Sequence, residues 1–256
     1  MSFNEIQTDF IKKIKLPSDP QYFYDQSVQF GELMMMYNCA IREVRTKLEV
    51  LNDELSIRNS RNPIEFIESR IKRPLSIVDK LKRYGEPVNV ESIERSLNDV
   101  AGIRVICPFI DDIYSVADML LSQDDITLIK KKDYIENPKP NGYRSLHLIV
   151  AVPVPMIRGH QECMAEIQIR TLAMDFWAAL EHQLKYKQQI GDEETIVAEL
   201  KRCADETSST DINLLALREL ITAGKEELSP AGSDKQQPEI KKHSALRPSL
   251  KRRHQY

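Results

Sequence analysis

The amino-acid sequence predicts an α+β protein, in which a mixed sheet of about five strands is flanked by helices and extended by helices at both ends. Apolar residues recur at helical spacing near the start of the 256-residue chain and again near its end. Short runs of branched apolar residues, typical of strands, lie between these two regions.

The first predicted element is helical. Between about Tyr22 and Ile57, apolar side chains recur at helical spacing, which is typical of one long amphipathic helix or of two shorter ones. Residues 1–21 are polar and include two prolines, so we expect them to connect weakly to the core.

Strands and helices then alternate. The predicted strands are Ile64–Lys72, Asp99–Pro108, Thr127–Tyr134, Ser145–Val154 and Cys163–Arg170. A helix is predicted between Pro74 and Gly85, because proline favours the first turn of a helix and glycine its end. Two further helices are predicted over Asp111–Ser122 and over about Leu172–Gln188, the second with Thr171 as its N-cap.

The last predicted helix covers about Asp192–Ala223, and the hydroxyl cluster Ser208-Ser209-Thr210 can break it. Residues 229–256 contain few apolar residues, which predicts disorder, and all charges from Lys241 onward are basic. We therefore expect a polar segment (1–21), a main domain (22–190), a helical extension (191–228) and a disordered basic tail (229–256).

Composition excludes several classes of protein. No run approaches the roughly 20 apolar residues that span a membrane, and residues 1–15 do not resemble a signal peptide. The four cysteines form no CxxC pair, so we expect neither disulfides nor a zinc finger, and a reducing cytoplasm as the location. The net charge of −3 does not indicate a general nucleic-acid binder, and neither a P-loop nor a GxGxxG motif is present.

A first group of candidate site residues is basic. Arg70 and Lys72 are two apart on a predicted strand, and Lys80 and Arg83 are three apart on the next helix, so each pair shares a face. Ser76 lies near the start of that helix, where backbone N–H groups are free to bind anions. The group suits a triphosphate, but the spacing alone favours the alternative, a solvated basic face paired with nearby acids.

A second group is acidic. Asp99 precedes one predicted strand, and Glu166 lies inside another, among apolar neighbours. A carboxylate in such a place requires a partner, because burying an unpaired charge is costly. Two such carboxylates could hold Mg²⁺, and the alternative is a buried pair of Glu166 with Arg104 or Arg144.

The third group lies in the loop that precedes His147. Tyr143 follows a glycine, so we expect its ring to be exposed beside Lys139, Arg144 and His147. An exposed aromatic ring among cations suits a purine base above phosphate contacts. The alternative is a hairpin loop with Tyr143 packed on the edge of the sheet.

Together these segments resemble a known family. They are similar, in order and spacing, to the synthetase domain of RelA/SpoT-type alarmone enzymes over about residues 30–190. The similar segments are Arg70-Ile71-Lys72, Asp99-Val100-Ala101-Gly102-Ile103-Arg104, the run from Lys132 to His147, and Glu166-Ile167-Gln168-Ile169-Arg170-Thr171. The compact chain resembles the small alarmone synthetases of the RelQ and RelP group.

The resemblance implies a nucleotidyltransferase-like fold and a GTP pyrophosphokinase activity of the stringent response. In that reaction the β,γ-pyrophosphate of ATP is transferred to the ribose 3′-hydroxyl of GDP or GTP, which makes ppGpp or pppGpp. The resemblance also implies an ATP site in which two arginines enclose the adenine and four residues hold the phosphates: Arg70 and Arg104 for adenine, and Lys72, Ser76, Lys80 and Arg83 for phosphates. It implies Mg²⁺ on Asp99 and Glu166, with Glu166 accepting the hydroxyl proton.

On the acceptor side, the resemblance implies that Tyr143 stacks on guanine. The residues implied for the acceptor's phosphates are Lys132, Lys139 and His147, and those lining the rest of the acceptor site are Gln168 and Asp175. A homotetramer is implied as well.

The sequence departs from the family pattern at two positions. In RelQ-type members a Phe-x-Thr-Gly-like segment binds product, and here it reads Phe66-Ile67-Glu68-Ser69, which speaks against activation by product. Asp175 stands where RelQ members carry Asn.

Two other functions remain open. Some small relatives modify the 3′ end of tRNA, and the basic tail could hold single-stranded RNA. An RNA-binding regulator that has lost catalysis is disfavoured, because Asp99, Glu166 and Tyr143 are all present.

Overall fold

The computed structural model describes residues 20–59, 61–157, 159–186 and 193–227. They form six helices, α1 (Pro20–Asn59), α2 (Pro74–Tyr84), α3 (Val90–Ser96), α4 (Ile110–Leu121), α5 (Leu172–Tyr186) and α6 (Glu193–Glu227). The five strands are β1 (Phe66–Ile71), β2 (Ala101–Cys107), β3 (Thr127–Asp133), β4 (Leu146–Met156) and β5 (Gly159–Thr171). The predicted α+β class is confirmed.

All five strands belong to one sheet with the order β1-β2-β5-β4-β3. Strands β2 and β5 are parallel and the other neighbouring pairs are antiparallel, so the sheet is mixed, as predicted. Because side chains alternate along a strand, the two faces of the sheet differ. Ile103 on β2 and Ile167 on β5 are buried on one face, whereas Arg104 and Gln168 lie half-buried on the other.

The apolar face carries the core. Helix α1 is a single helix of 40 residues, and its side chains Phe30, Val44 and Leu48 are buried in the same cluster as the inward residues of β2 and β5. Helix α4 adds Ile113 and Leu120 to that cluster. The other face of the sheet is therefore left for polar side chains.

Local sequence patterns correctly predicted where several helices begin or end. Pro74 begins α2, and Gly85 ends it with a φ of 72°, a left-handed conformation that favours glycine. The Thr171 hydroxyl accepts a hydrogen bond from the Met174 N–H at 3.1 Å, so the predicted N-cap of α5 is confirmed.

Two features of the helices differ from the prediction. Helix α3 was not predicted; it has only seven residues and is capped by the Asn89 side chain, which accepts from the Ser92 N–H. Helix α6 runs unbroken through Ser208-Ser209-Thr210. The Ser209 and Thr210 hydroxyls donate to carbonyls four residues earlier, so the helix itself satisfies them.

The chain divides into two compact units, Met1–Arg218 and Glu219–Tyr256, and the described part of the second unit is the end of α6. Helix α6 up to Arg218 thus belongs to the same unit as the sheet. Most of the predicted polar segment and the whole predicted basic tail lie outside the described residues. Within the described residues, no helix is both long and apolar enough to cross a membrane.

Candidate active site

Polar side chains form a row across the face of the sheet that is opposite the core. Strand pairing aligns one residue from each of the five strands in this row: Glu68, Arg104, Gln168, His147 and Lys132. Arg70, Gly102 and Glu166 are aligned in a neighbouring row. Since aligned residues share a face, the sheet itself brings together residues that are far apart in the sequence.

A cleft of about 240 Å³ opens above these rows. Gly102 lies between Arg70 and Glu166 and has no side chain to fill the space. The cleft is lined by six of the predicted site residues, namely Arg70, Lys72, Asp99, Arg104, Glu166 and Gln168.

Asp99 joins two of the predicted phosphate-binding lysines. Its Oδ2 accepts hydrogen bonds from Lys72 Nζ at 2.8 Å and Lys80 Nζ at 2.7 Å, whereas its buried Oδ1 has no partner among the described residues. Burial raises the pKa of Asp99, but the two lysine hydrogen bonds and charges outweigh it, so the pKa lies below its ordinary value. Asp99 is therefore an anion with one free oxygen.

Glu166 pairs with neither Arg104 nor Arg144, so the alternative of a buried pair with one of these arginines is wrong. Its Oε1 lies 3.2 Å from His147 Nδ1, and its Oε2 accepts from the Gln168 amide at 2.9 Å. Burial raises the pKa of Glu166, and the Asp99 charge adds a smaller increase. The hydrogen bonds from His147 and Gln168 and the charge of His147 outweigh both, so the pKa is lowered overall.

Tyr143 is half-buried, contrary to the expectation of an exposed ring. It packs against a small cluster of Trp177, Leu200 and Ala204. Its hydroxyl lies 2.8 Å from His147 Nε2. The exposed Lys139 places its Nζ 4.7 Å from the centroid of the ring, a cation–π distance.

Helix α6 explains why Tyr143 is covered. Gly142 has a φ of 89°, and a Cβ on it would lie 2.4 Å from the Ala204 Cβ, so only glycine fits there. Arg144 donates to the Ala204 carbonyl at 3.0 Å. Asn141 donates to Glu181 of α5 at 3.0 Å, so both helices hold the loop.

Arg170 was not predicted as a site residue. It is 4% exposed and donates to Asp175 at 3.1 Å, to the Tyr143 hydroxyl at 2.7 Å and to Gln168 at 2.8 Å. Asp175 Oδ1 also lies 3.4 Å from Arg104 Nη1. The sequence could have indicated it, because Arg170 follows Glu166 and Gln168 at every second position of a predicted strand, and such side chains point to the same face.

The other predicted residues are not among those that line the cleft. Ser76 and Arg83 are exposed, as is Arg70, and within the described part of the chain neither arginine forms an ion pair. Helix α2 begins without a side-chain cap and without an acid in its first turn, so its first N–H groups stay available near Ser76. Lys132, on β3, is aligned with His147 on β4.

The donor set fits Mg²⁺. Proteins hold this ion through one or two carboxylates together with substrate phosphates, and Asp99 and Glu166 line one cleft. The buried Oδ1 of Asp99 has no hydrogen-bond partner among the described residues, so it could serve as an oxygen ligand. Among the described residues there is no cluster of three or more His, Cys, Asp and Glu side chains that would form an all-protein metal site.

Carboxylates and cations that face one cleft on a mixed sheet suit one class of site, for phosphate-group transfer between nucleotides, because such transfer depends mainly on positioning and charge neutralisation. Known proteins are consistent with this class. Residues 69–191 match the family described as a region found in RelA/SpoT proteins. GTP pyrophosphokinase YwaC of Bacillus subtilis is 41% identical over 188 residues, which cover 73% of this chain and 90% of the relative.

Solved structures agree. A structure of small alarmone synthetase 1 from Bacillus subtilis bound to its product pppGpp is 36% identical, with a TM-score of 0.69, and the match covers 75% of this chain and 98% of that one. A structure of the same synthetase bound to AMPCPP is 32% identical, with a TM-score of 0.63 and coverage of 76% and 98%. The chain belongs to the RelA/SpoT family, in its group of small alarmone synthetases.

Proposed function

We propose that this chain is a GTP pyrophosphokinase that transfers the β,γ-pyrophosphate of ATP to the 3′-hydroxyl of GDP or GTP. The product is ppGpp or pppGpp. The observation that carries the proposal is a single cleft in which Asp99 and Glu166 lie together with Arg70, Lys72 and Arg104. The family relatives named as GTP pyrophosphokinases support it.

The ATP half of the site takes its charge from the strand–helix segment β1–α2. Lys72 and Lys80 already converge on Asp99, so their ammonium groups lie close together at the cleft. Arg83 and Ser76 on α2 would extend this surface along the triphosphate. Arg70 and Arg104 line the same cleft, and their planar guanidinium groups would enclose the adenine.

Glu166 would accept the proton of the attacking hydroxyl. The 3′-oxygen attacks the β-phosphorus of ATP, the bond from that phosphorus to the α–β bridging oxygen breaks, and AMP leaves. The lowered pKa of Glu166 keeps it ionised at neutral pH, which a proton acceptor requires. Positioning and charge neutralisation contribute most to a transfer of this kind.

Enzymes of this family generally use a divalent metal. We propose Mg²⁺ on Asp99 and Glu166, where the bound ion would neutralise phosphate charge. The acceptor half would use Tyr143 for guanine, with Lys132, Lys139 and His147 at its phosphates and Gln168 and Asp175 beside them. The Lys139 ammonium lies over the Tyr143 ring, and because Lys139 is exposed it can leave the ring to a base at small cost.

Labelled ATP tests the proposal. The chain is incubated with Mg²⁺, ATP labelled in the γ-phosphate, and GDP, GTP or tRNA in parallel, and the products are separated. We expect label in a guanosine nucleotide with GDP or GTP. Label in tRNA alone would support the 3′-end tRNA modification instead, and no transfer to any acceptor would support a binding protein.

A homotetramer in the cytoplasm is the accompanying proposal. Ile212, Leu214 and Leu217 of α6 are exposed apolar residues that a partner could cover. Light scattering coupled to gel filtration should give four times the 29.6 kDa chain mass. A monomer mass at micromolar concentration would contradict the tetramer without affecting the proposed reaction.

A further inference from the structure

Arg170 is a buried cation that binds no nucleotide group in the function proposed above. It occupies the end of β5 and is 4% exposed. Its buried Nε has no partner among the described residues, so the position is not optimised for stability alone. A buried charge kept at such a cost points to a role in the site.

The guanidinium fixes the orientation of Gln168. An arginine can only donate, so the Gln168 oxygen must face Arg170 Nη2, at 2.8 Å. The Gln168 amide nitrogen then faces Glu166 Oε2, at 2.9 Å. Without Arg170 the amide could turn over and present its oxygen to the carboxylate, which would be repulsive.

The same guanidinium fixes the direction of a second chain of hydrogen bonds. Arg170 Nη2 donates to the Tyr143 hydroxyl at 2.7 Å, so that oxygen accepts, and its own proton is directed to His147 Nε2 at 2.8 Å. In a neutral imidazole the other nitrogen, Nδ1, then carries the hydrogen and donates to Glu166 Oε1 at 3.2 Å. With His147 neutral, both oxygens of Glu166 therefore receive hydrogen bonds whose direction begins at Arg170.

Asp175 holds the guanidinium in place and connects it to the donor side. Its Oδ1 lies 3.1 Å from Arg170 Nη1 and 3.4 Å from Arg104 Nη1. A carboxylate can accept from two guanidinium groups at once and offset both charges, whereas the amide of Asn would offset neither. The aspartate at this position thus matches the need to hold two arginines.

We propose that Arg170 is a positioning residue: it directs Gln168, and through Tyr143 also His147, to donate to Glu166, and so keeps both Glu166 oxygens oriented for the acceptor hydroxyl. This inference rests on the proposed function. Arg170 touches no reacting atom in it and acts only through these three side chains. The fork is essential to this role, because one Nη binds Asp175 while the other binds Gln168 and Tyr143.

Substitutions at Arg170 test the inference in the full chain. For Arg170→Met we expect kcat to fall about 10- to 100-fold, the range for residues that orient an active-site ligand. The KM for ATP should change by less than about threefold, since no ATP contact is lost. Arg170→Lys should recover little, because an ammonium cannot reproduce the fork. The matched control is Arg202→Met, which removes an exposed arginine of α6 and should leave kcat unchanged.

A double-mutant cycle with Tyr143→Phe gives the decisive measurement. Phenylalanine keeps the ring but removes the hydroxyl through which Arg170 acts. We expect Tyr143→Phe to lower kcat clearly in the wild-type chain and hardly at all in the Arg170→Met chain. If Tyr143→Phe lowers kcat by the same factor in both chains, the inference is overturned, because the two residues would then act independently.

The outcomes separate the two claims. If Arg170→Met does not fold, as judged by the emission of Trp177 and a thermal melt, the cycle is run with Arg170→Lys, which keeps the buried charge. If the wild-type chain is active and the Arg170 variant is equally active, the inference is overturned and the proposed function is not affected. A wild-type chain that transfers no label to any acceptor would overturn the proposed function and this inference with it.

Discussion

The contact between Gly142 and helix α6 gives the sharpest test of how the loop that contains Tyr143 is held. Gly142 has a φ of 89°, and a Cβ built on it would lie 2.4 Å from the Ala204 Cβ and 3.4 Å from the Lys201 Cα. Carbon atoms in contact are normally about 3.5–4.0 Å apart. In Gly142→Ala the loop and α6 must therefore separate by about 1 Å.

Two costs add up in this variant. A left-handed backbone costs an alanine roughly 1–2 kcal/mol relative to glycine. Forcing a methyl group into a filled space costs roughly a further 1–3 kcal/mol. Gly85→Ala is the matched control, since Gly85 also has a positive φ, of 72°, but nothing lies within 4 Å of its added Cβ. We expect Gly142→Ala to be the more destabilising of the two by about 1–3 kcal/mol.

Urea unfolding followed by tryptophan emission measures this difference. Trp177 is the single tryptophan of the sequence, is 5% exposed and belongs to the cluster that contains Ala204, so it reports on this contact. Gly142→Ala should also raise the KM for GDP, because the loop carries Tyr143, whereas Gly85→Ala should not. Equal losses of stability in the two variants would refute the packing of α6 on the loop.

Three further predictions concern single side chains. Glu166→Gln should lower kcat about 10²- to 10⁴-fold without unfolding the chain, and near-wild-type turnover would contradict its role as proton acceptor. Tyr143→Ala should raise the KM for GDP far more than that for ATP, since stacking on a base is worth about 1–3 kcal/mol, and equal effects would argue against guanine stacking. Burial raises the pKa of Asp211 more than the Thr171 hydroxyl and the Arg144 charge together lower it, so the folded state binds this proton more tightly than the unfolded state. The contribution of Asp211 to the free energy of unfolding should therefore fall as pH rises from about 4 through the raised pKa. Asp211→Asn should remove that loss, as measured by urea unfolding from pH 4 to 8. A variant that is less stable than wild type at pH 7 would contradict this prediction.

The sequence predicted the elements well where local signals are strong. The branched runs of β4 and β5 and the proline and glycine that bound α2 depend on neighbouring residues alone. Helix α3 was not predicted, because its seven residues make too few turns to show a periodic pattern of apolar residues. The hydroxyls of Ser209 and Thr210 suggested a break in α6, but inside a helix they can donate to the preceding turn.

Long-range contacts limited the prediction of the site. The alternation of β5 places Glu166, Gln168 and Arg170 on one face, yet only the pairing of β5 with β2 and β4 shows that Arg104 and His147 lie beside them. Tyr143 was expected to be exposed because the part that covers it, Ala204, comes some 60 residues later in α6. Sequence spacing contains no information about that contact.

The most direct test of the central claim follows both ends of the ATP triphosphate. With GDP as acceptor, label in the γ-phosphate should appear in a guanosine nucleotide, and label in the α-phosphate should appear in an equal amount of AMP. With 3′-deoxy-GDP neither product should form. Release of ADP in place of AMP, or transfer to 3′-deoxy-GDP, would contradict pyrophosphate transfer to the 3′-hydroxyl.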